Sequence, residues 1–182
     1  SNTKRATNTQ LGILANSSTI ASIDNVSYLP LTLSTLFASV TSGPSDAHVM
    51  ANVTIPSALS GYQAGVVMNL DSASSPANFI IAYLDGTGNA VLSKCVAGVY
   101  TDLISAAVTY SAGATLRVMK LGTSYVLWYN NAQVGTASTV SDAGIISNTL
   151  HGMFSTSANN SLDNFIIWPV GISNNYAPLD NY

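Results

Sequence analysis

The sequence predicts an all-β chain folded as an antiparallel two-sheet sandwich, and three observations predict it. Short apolar segments recur along the chain, separated by clusters of Gly, Ser, Asn and Asp. That is the spacing of a sandwich or barrel rather than of strands alternating with helices. No stretch of about ten residues carries apolar side chains at helical period, so any helix is one short turn. At 182 residues with 47% apolar side chains, the chain can bury one core and is too apolar to stay disordered.

Taken in order, residues 1–12 read as a polar N-terminal arm carrying Lys4 and Arg5, 13–171 as the sandwich, and 172–182 as a tail stiffened by Pro178. Weaker strand patterns lie at Thr19–Val26 and Leu33–Val40. Stronger ones follow at Ala47–Ile55, Ala64–Leu70, Asn78–Leu84, Ala90–Val96, Val99–Ser105, Thr115–Leu121, Tyr125–Tyr129, Gln133–Ala137, Leu150–Ser155 and Ser161–Trp168. The turns between them have a mechanism. Asp85-Gly86-Thr87-Gly88-Asn89 and Asn130-Asn131 supply residues that accept positive φ and read as hairpin loops. Ala97-Gly98 and Ser111-Ala112-Gly113 punctuate two further junctions. Alternation places Tyr125, Leu127 and Tyr129 on one face of their strand, with Val126 and Trp128 on the other. Both faces are apolar, as for a central strand or one whose outer face is covered. Trp168 reads as packing, with Pro169 ending the ladder.

Only 7% of the residues are charged, against about 25% in ordinary soluble domains, and the acidic residues are all Asp. A formal net charge of −3 gives weak self-repulsion, which suits a secreted protein or an assembly that covers its own surface. Five basic residues form no cationic stripe for a phosphate backbone, which excludes nucleic-acid binding. The lone Cys95 excludes an intrachain disulfide and reads as a small apolar strand residue. No apolar run reaches the roughly 18 residues of a membrane span. No signal peptide is visible, so the expectation is either a processed signal or exit by another route, such as virion assembly and lysis.

Five segments carry a resemblance. Ala64-Gly65-Val66-Val67, Phe79 to Gly86, Leu92 to Tyr100, Thr115-Leu116-Arg117-Val118 and Leu162-Asp163-Asn164-Phe165 follow one another in the order of strands in the concanavalin A-like, laminin G-like jelly-roll family. The stretch Ala64–Gly171 resembles that family; residues 1–45 match it poorly. The resemblance implies a two-sheet jelly-roll sandwich. It leaves function open, because the fold hosts glycosidases, lectins, adhesion modules and coat proteins. It also implies a possible role for Asp163 on the closing strand in holding a structural calcium through oxygen ligands, against a plain turn-capping role.

Chemistry has few footholds. Glycosidases of the family carry a Glu-x-Asp-x-(x)-Glu strand, and this chain has no Glu. Asp pairs about 5–10 Å apart could substitute, but Asp71, Asp85, Asp102 and Asp142 all fall at expected turns or strand ends. His48 and His151 lie within strands without a nucleophile elbow and read as hydrogen-bonded sheet residues. No cofactor is expected beyond the calcium. The four Asn-x-Ser/Thr sequons, at Asn16, Asn25, Asn52 and Asn159, are what chance placement gives in a chain this rich in Asn, Ser and Thr.

Sugar binding needs an aromatic platform with polar neighbours. Trp128, Tyr100 and Tyr62 are the candidates, with Tyr110 behind them and Asn69, Asn78 or Asn89 for hydrogen bonds; strand aromatics are otherwise core packing. Two functions therefore stand. The first, favoured here, is a non-catalytic structural or assembly subunit, such as a virion coat or decoration protein or an extracellular filament subunit. It would contact copies of itself or a capsid or surface lattice, partly through Lys4 and Arg5 of the arm. The alternative is a glycan-binding or adhesion module of a secreted protein. Both place the chain in a virion, outside the cell or on its surface.

Overall fold

The structure, a computed structural model, describes residues 27–30, 36–41, 43–56 and 62–170. The arm with Lys4 and Arg5, the Thr19–Val26 segment and the tail lie outside them. Twelve strands and one helical turn follow along the described chain. They are β1 (Ser27–Pro30), β2 (Leu36–Thr41), β3 (Ala47–Thr54), β4 (Ala64–Leu70), β5 (Phe79–Leu84), β6 (Asn89–Val96), β7 (Val99–Ala107), β8 (Ala114–Leu121), β9 (Ser124–Tyr129), β10 (Ala132–Thr139), α1 (Ala143–Ile146), β11 (Leu150–Ser155) and β12 (Ser161–Pro169). Ten of the expected strands recur within a few residues. β2, described from Leu36, matches the expected Leu33–Val40 strand and runs one residue beyond it, and β1 has no counterpart in the sequence reading. A four-residue strand with Pro at its end carries too little alternation to be seen.

All strand pairs are antiparallel and form two sheets, a large one ordered β1-β2-β11-β4-β5-β6-β7 and a small one ordered β10-β9-β8-β3-β12. The two-sheet antiparallel sandwich read from the sequence is the architecture found. Period-two alternation explains how the sheets close on each other. Ala47, Val49, Ala51 and Val53 of β3 are fully buried and alternate with half-exposed neighbours. They meet Val66 and Met68 of β4, Ile80 and Ala82 of β5, Leu116 and Val118 of β8, and Tyr125 and Leu127 of β9 in one core.

The large sheet is apolar on its other side as well. Phe37, Val67, Leu70, Phe79, Ile81, Cys95 and Phe154 form a second buried cluster there, with Tyr83 and Leu150 against it. Its rings meet edge-on, Phe37 with Phe79 at 5.6 Å and Tyr83 with Phe154 at 5.9 Å. Two glycines let the strands of this face lie close. A Cβ on Gly65 would fall 1.9 Å from the Ala82 carbonyl oxygen, and one on Gly152 would fall 1.9 Å from that of Ala38.

The turns follow their residue chemistry. Asn130 and Asn131 both have positive φ, 48° and 66°, as do Ala97 and Gly98 at 50° and 81°. The Asp85 carboxylate organises the β5–β6 loop. It accepts the backbone N–H groups of Thr87 (2.8 Å) and Asn89 (3.0 Å), the Thr87 hydroxyl (2.7 Å) and the Asn89 amide (2.8 Å). Those bonds outweigh the partial burial that opposes them and hold its pKa at about 2.

A buried polar network closes one end of the sandwich. Asn69, at φ 53° in a bulge of β4, points inward. Its amide donates to the carbonyls of Ser45 (3.0 Å) and Asn148 (2.5 Å), and its oxygen accepts the Tyr125 hydroxyl at 3.0 Å. Its backbone N–H donates to His151 Nδ1 at 3.3 Å, which leaves Nε2 to donate to the Pro44 carbonyl at 3.2 Å. Burial, opposed by that Pro44 contact and aided by the nearby Lys120 charge, lowers the His151 pKa to about 4. Lys120, itself buried, is ion-paired with Asp46, whose carboxylate also accepts the Gly122 N–H.

Candidate functional site

The residues singled out as sugar contacts do not meet. Leu127 and Tyr129 are buried in the core, so Trp128 between them faces outward from the small sheet. Tyr100 stands opposite Cys95 on the outer side of the large sheet, 55% exposed, with its ring edge-on to Phe79 at 5.8 Å. Those two aromatics occupy opposite outer surfaces of the sandwich. Tyr62 is half-buried in the approach to β4. Tyr110 is a latch, its hydroxyl donating to the Ile55 carbonyl (2.8 Å) and accepting the Ile55 N–H (3.0 Å). The three asparagines are committed internally: Asn69 in the buried network, Asn89 to Asp85, and Asn78 to Asp71 (2.6 Å) and to the Ala97 N–H (2.9 Å).

A different set converges on the outer face of the small sheet. Cross-strand pairing sets Gln133, Trp128, Arg117, Met50 and Ile166 side by side across all five strands. A second row holds Val126, Met119, His48 and Trp168. A third holds Thr115, Asn52 and Asp163, with the Thr115 hydroxyl donating to Asn52 Oδ1 at 3.1 Å. Directly paired strand neighbours stand about 5 Å apart at Cα, so these side chains form one continuous surface. Most are half-buried, but Trp168 is 51% exposed. Its reading as a packing residue is corrected: β12 is the edge of the sheet, and its outward side chains have a neighbouring strand on one side only.

The electrostatics of this face centre on Arg117. Its guanidinium carbon lies 4.4 Å from the centre of the Trp128 ring, a cation–π arrangement. The other described lysines are paired, Lys94 with Asp142 at 2.9 Å and Lys120 with Asp46. Among the described residues Arg117 has no carboxylate partner, and its Nε is buried without a hydrogen bond. His48 Nδ1 is likewise buried and unbonded, so the hydrogen bond expected of a sheet histidine is not made through that nitrogen. Burial, then the Arg117 charge, lowers the His48 pKa and keeps the imidazole neutral. Buried polar atoms without partners are uncommon in folded proteins and call for an explanation.

Elsewhere the carboxylates serve structure. Asp85 and Asp71 hold turns, Asp142 and Asp46 pair with lysines, and exposed Asp163 accepts its neighbour Asn164's N–H at 2.8 Å. Asp102 lies within β7 rather than at a strand end, beside a bulge, and accepts the Ser93 hydroxyl at 2.5 Å. Among the described residues no group of three His, Cys, Asp or Glu is placed to hold a metal ion, and Asp163 has no second carboxylate in the five strands of its sheet. Cys95 is buried and unpaired, as a small apolar strand residue would be. An open groove of about 380 Å³ runs between β7 and β10, lined in part by Thr109, Tyr129, Asn130 and Gln133. That volume is at the small end for a ligand site. Gln133 joins the groove to the row containing Trp128 and Arg117.

No family model matches the sequence, and no curated protein matches it at a significant level. Solved structures do match in shape. The carbohydrate-binding module CBM66 from Bacillus subtilis superposes with a TM-score of 0.63 at 13% identity, covering 79% of this chain and 91% of that one. Sheep galectin-11, solved with glycerol, gives 0.52 at 11% identity, covering 76% and 99%. A family 16 endo-glucanase from Bacteroides ovatus gives 0.54 at 13% identity, covering 73% and 74%. At these identities the likeness shows the fold, a concanavalin A-like jelly-roll sandwich, and the same fold carries binding modules, lectins and hydrolases among the three.

Proposed function

We propose that this chain is a non-catalytic carbohydrate-binding module acting outside the cell or on a surface, with the outer face of the small sheet as its ligand surface. One observation carries the reading. An exposed indole, Trp168, adjoins His48 on the same sheet face where the Arg117 guanidinium lies over Trp128, and among the described residues Arg117 has no carboxylate partner. Saccharides present apolar C–H faces to aromatic rings and hydroxyls to planar, pre-oriented donors, and this face offers both. Asn52 and Gln133 add amides at its margins. The nature of the shape neighbours, a carbohydrate-binding module and a galectin, supports the same reading over the assembly role favoured from composition. The chain's lack of Glu supports binding over hydrolysis.

Retention on a panel of immobilised polysaccharides tests it, comparing wild type with Trp168→Ala, Trp128→Ala and Tyr100→Ala. Trp168→Ala and Trp128→Ala should lose retention, and Tyr100→Ala, on the opposite surface, should keep it. Failure of the wild type to bind any saccharide would overturn the reading. Loss confined to Tyr100→Ala would move the site to the large sheet.

A second reading, self-association on a surface lattice or particle, is favoured by β7. This edge strand opens with Val99 and Tyr100 exposed at 68% and 55%, and unpaired apolar strand edges are templates for pairing. Light scattering across a concentration series separates the two. A persistent oligomer dissociated by Val99→Lys would favour assembly, and a stable monomer would remove it.

A further inference from the structure

We propose that the ligand of this face is an acidic saccharide, whose anionic group is held by Arg117 with His48 beside it while Trp168 supports the sugar ring. The proposal rests on the carbohydrate-binding reading and goes on to name the ligand class.

Among the described residues Arg117 lacks a counter-charge. A guanidinium carries five N–H donors in a plane and matches the two oxygens of a carboxylate or the oxygens of a sulfate. The contact with Trp128 restrains the Arg117 side chain and lowers the entropy lost when an anion binds. Two of the three described Lys and Arg residues already have carboxylates, and Arg117 does not. Its Nε is buried without an acceptor, so an arriving anion would be met by the terminal amino groups of the guanidinium. A half-buried cation with unsatisfied donors is costly unless a counter-charge arrives. Among the described residues nothing on the face competes for that role. The five strands contain a single acidic residue, Asp163, which stands on the edge strand in a different row and is engaged with its own neighbouring backbone.

General electrostatics does not supply the attraction. The chain carries a formal net charge of −3, so a polyanion is repelled at long range and must be captured locally. Carboxylate and sulfate share the required chemistry, and the experiment separates them.

The test is calorimetric titration of the full chain with two matched pairs of probes: polygalacturonate against its methyl ester, and dextran sulfate against dextran. The expected result is at least tenfold tighter binding of the charged member of one pair, the carboxylate pair identifying a uronate ligand and the sulfate pair a sulfated one. Arg117→Gln should abolish the preference for charge, Arg117→Lys should restore part of it, and thermal melts should show both variants folded. Equal binding of charged and neutral members by the wild type would overturn this inference while leaving the carbohydrate-binding reading intact. Preference for charge surviving in folded Arg117→Gln would also overturn it. Binding of no saccharide, charged or neutral, here or on the wider panel, would overturn both.

Discussion

On the large sheet, the side chains that point away from the core are Phe37, Phe79, Ile81, Tyr83 and Phe154; on the small sheet, the corresponding positions hold His48, Met50, Arg117, Trp128 and Trp168. Both faces come from the same two-residue alternation, and both carry aromatic rings. On the first, Phe37, Phe79, Ile81 and Phe154 are buried to within a few per cent, with Tyr83 partly buried and Tyr100 exposed on the edge strand; the second is partly exposed and mixes rings with donors. Aromatic residues therefore do two jobs in one sandwich. Where they pack only against apolar neighbours they stabilise the sheet. Where they flank Arg117, which has no carboxylate partner among the described residues, the face mixes apolar and polar side chains.

Truncations should separate the faces most sharply. Phe154→Ala on the large sheet is expected to cost about 3–5 kcal/mol, read as a lower denaturant midpoint, because a packed ring leaves a cavity. Trp168→Ala on the small sheet should leave the midpoint nearly unchanged. Comparable losses at both positions would erase the distinction.

Acid should act through the buried end between the two faces. The folded pKa of His151, about 4, lies below its ordinary 6.5, so the unfolded chain takes up the proton first as pH falls. The stability held at neutral pH is expected to decline from about pH 6.5 to pH 4, by on the order of 3 kcal/mol in total. Chemical denaturation at pH 7 and pH 4.5 measures this, and His151→Gln should flatten the difference.

A smaller effect is expected at the β5–β6 turn. Asp85→Ala removes an acceptor of four hydrogen bonds and should cost about 1–3 kcal/mol. With its pKa at about 2 instead of 3.8, the Asp85 contribution is complete above pH 3.8 and lost only as pH falls towards 2. The gap between Asp85→Ala and wild type should therefore stay constant from pH 7 to pH 5. The least change in stability is expected from Arg117→Lys, within about 0.5 kcal/mol, because that side chain lies on the outer face of the small sheet rather than in the core.

Much of the fold was legible because its signals are local. Alternation marked β3 to β12 to within a few residues, and Asn130-Asn131, Ala97-Gly98 and the Asp85 loop announced their turns through residues that accept positive φ. The site was less legible. Trp128 stood out by its residue type, but Trp168 looked like packing, since an apolar side chain in a strand reads the same at an edge as at the centre. His48 and Arg117 are far apart in sequence and carried no motif. They become neighbours because β8 pairs with β3, across about seventy residues.

The amino-acid order by itself determined the strands, their inward and outward side chains, the hairpin turns, and the scarcity of catalytic carboxylates that follows from a chain without Glu. Only the tertiary structure decided which strands lie at the edges, which outward face is buried, and which polar atoms are left unpaired. The physical reason is range. Backbone preferences and side-chain alternation act over a few residues, whereas burial and hydrogen-bond satisfaction depend on partners that the chain brings together from distant segments.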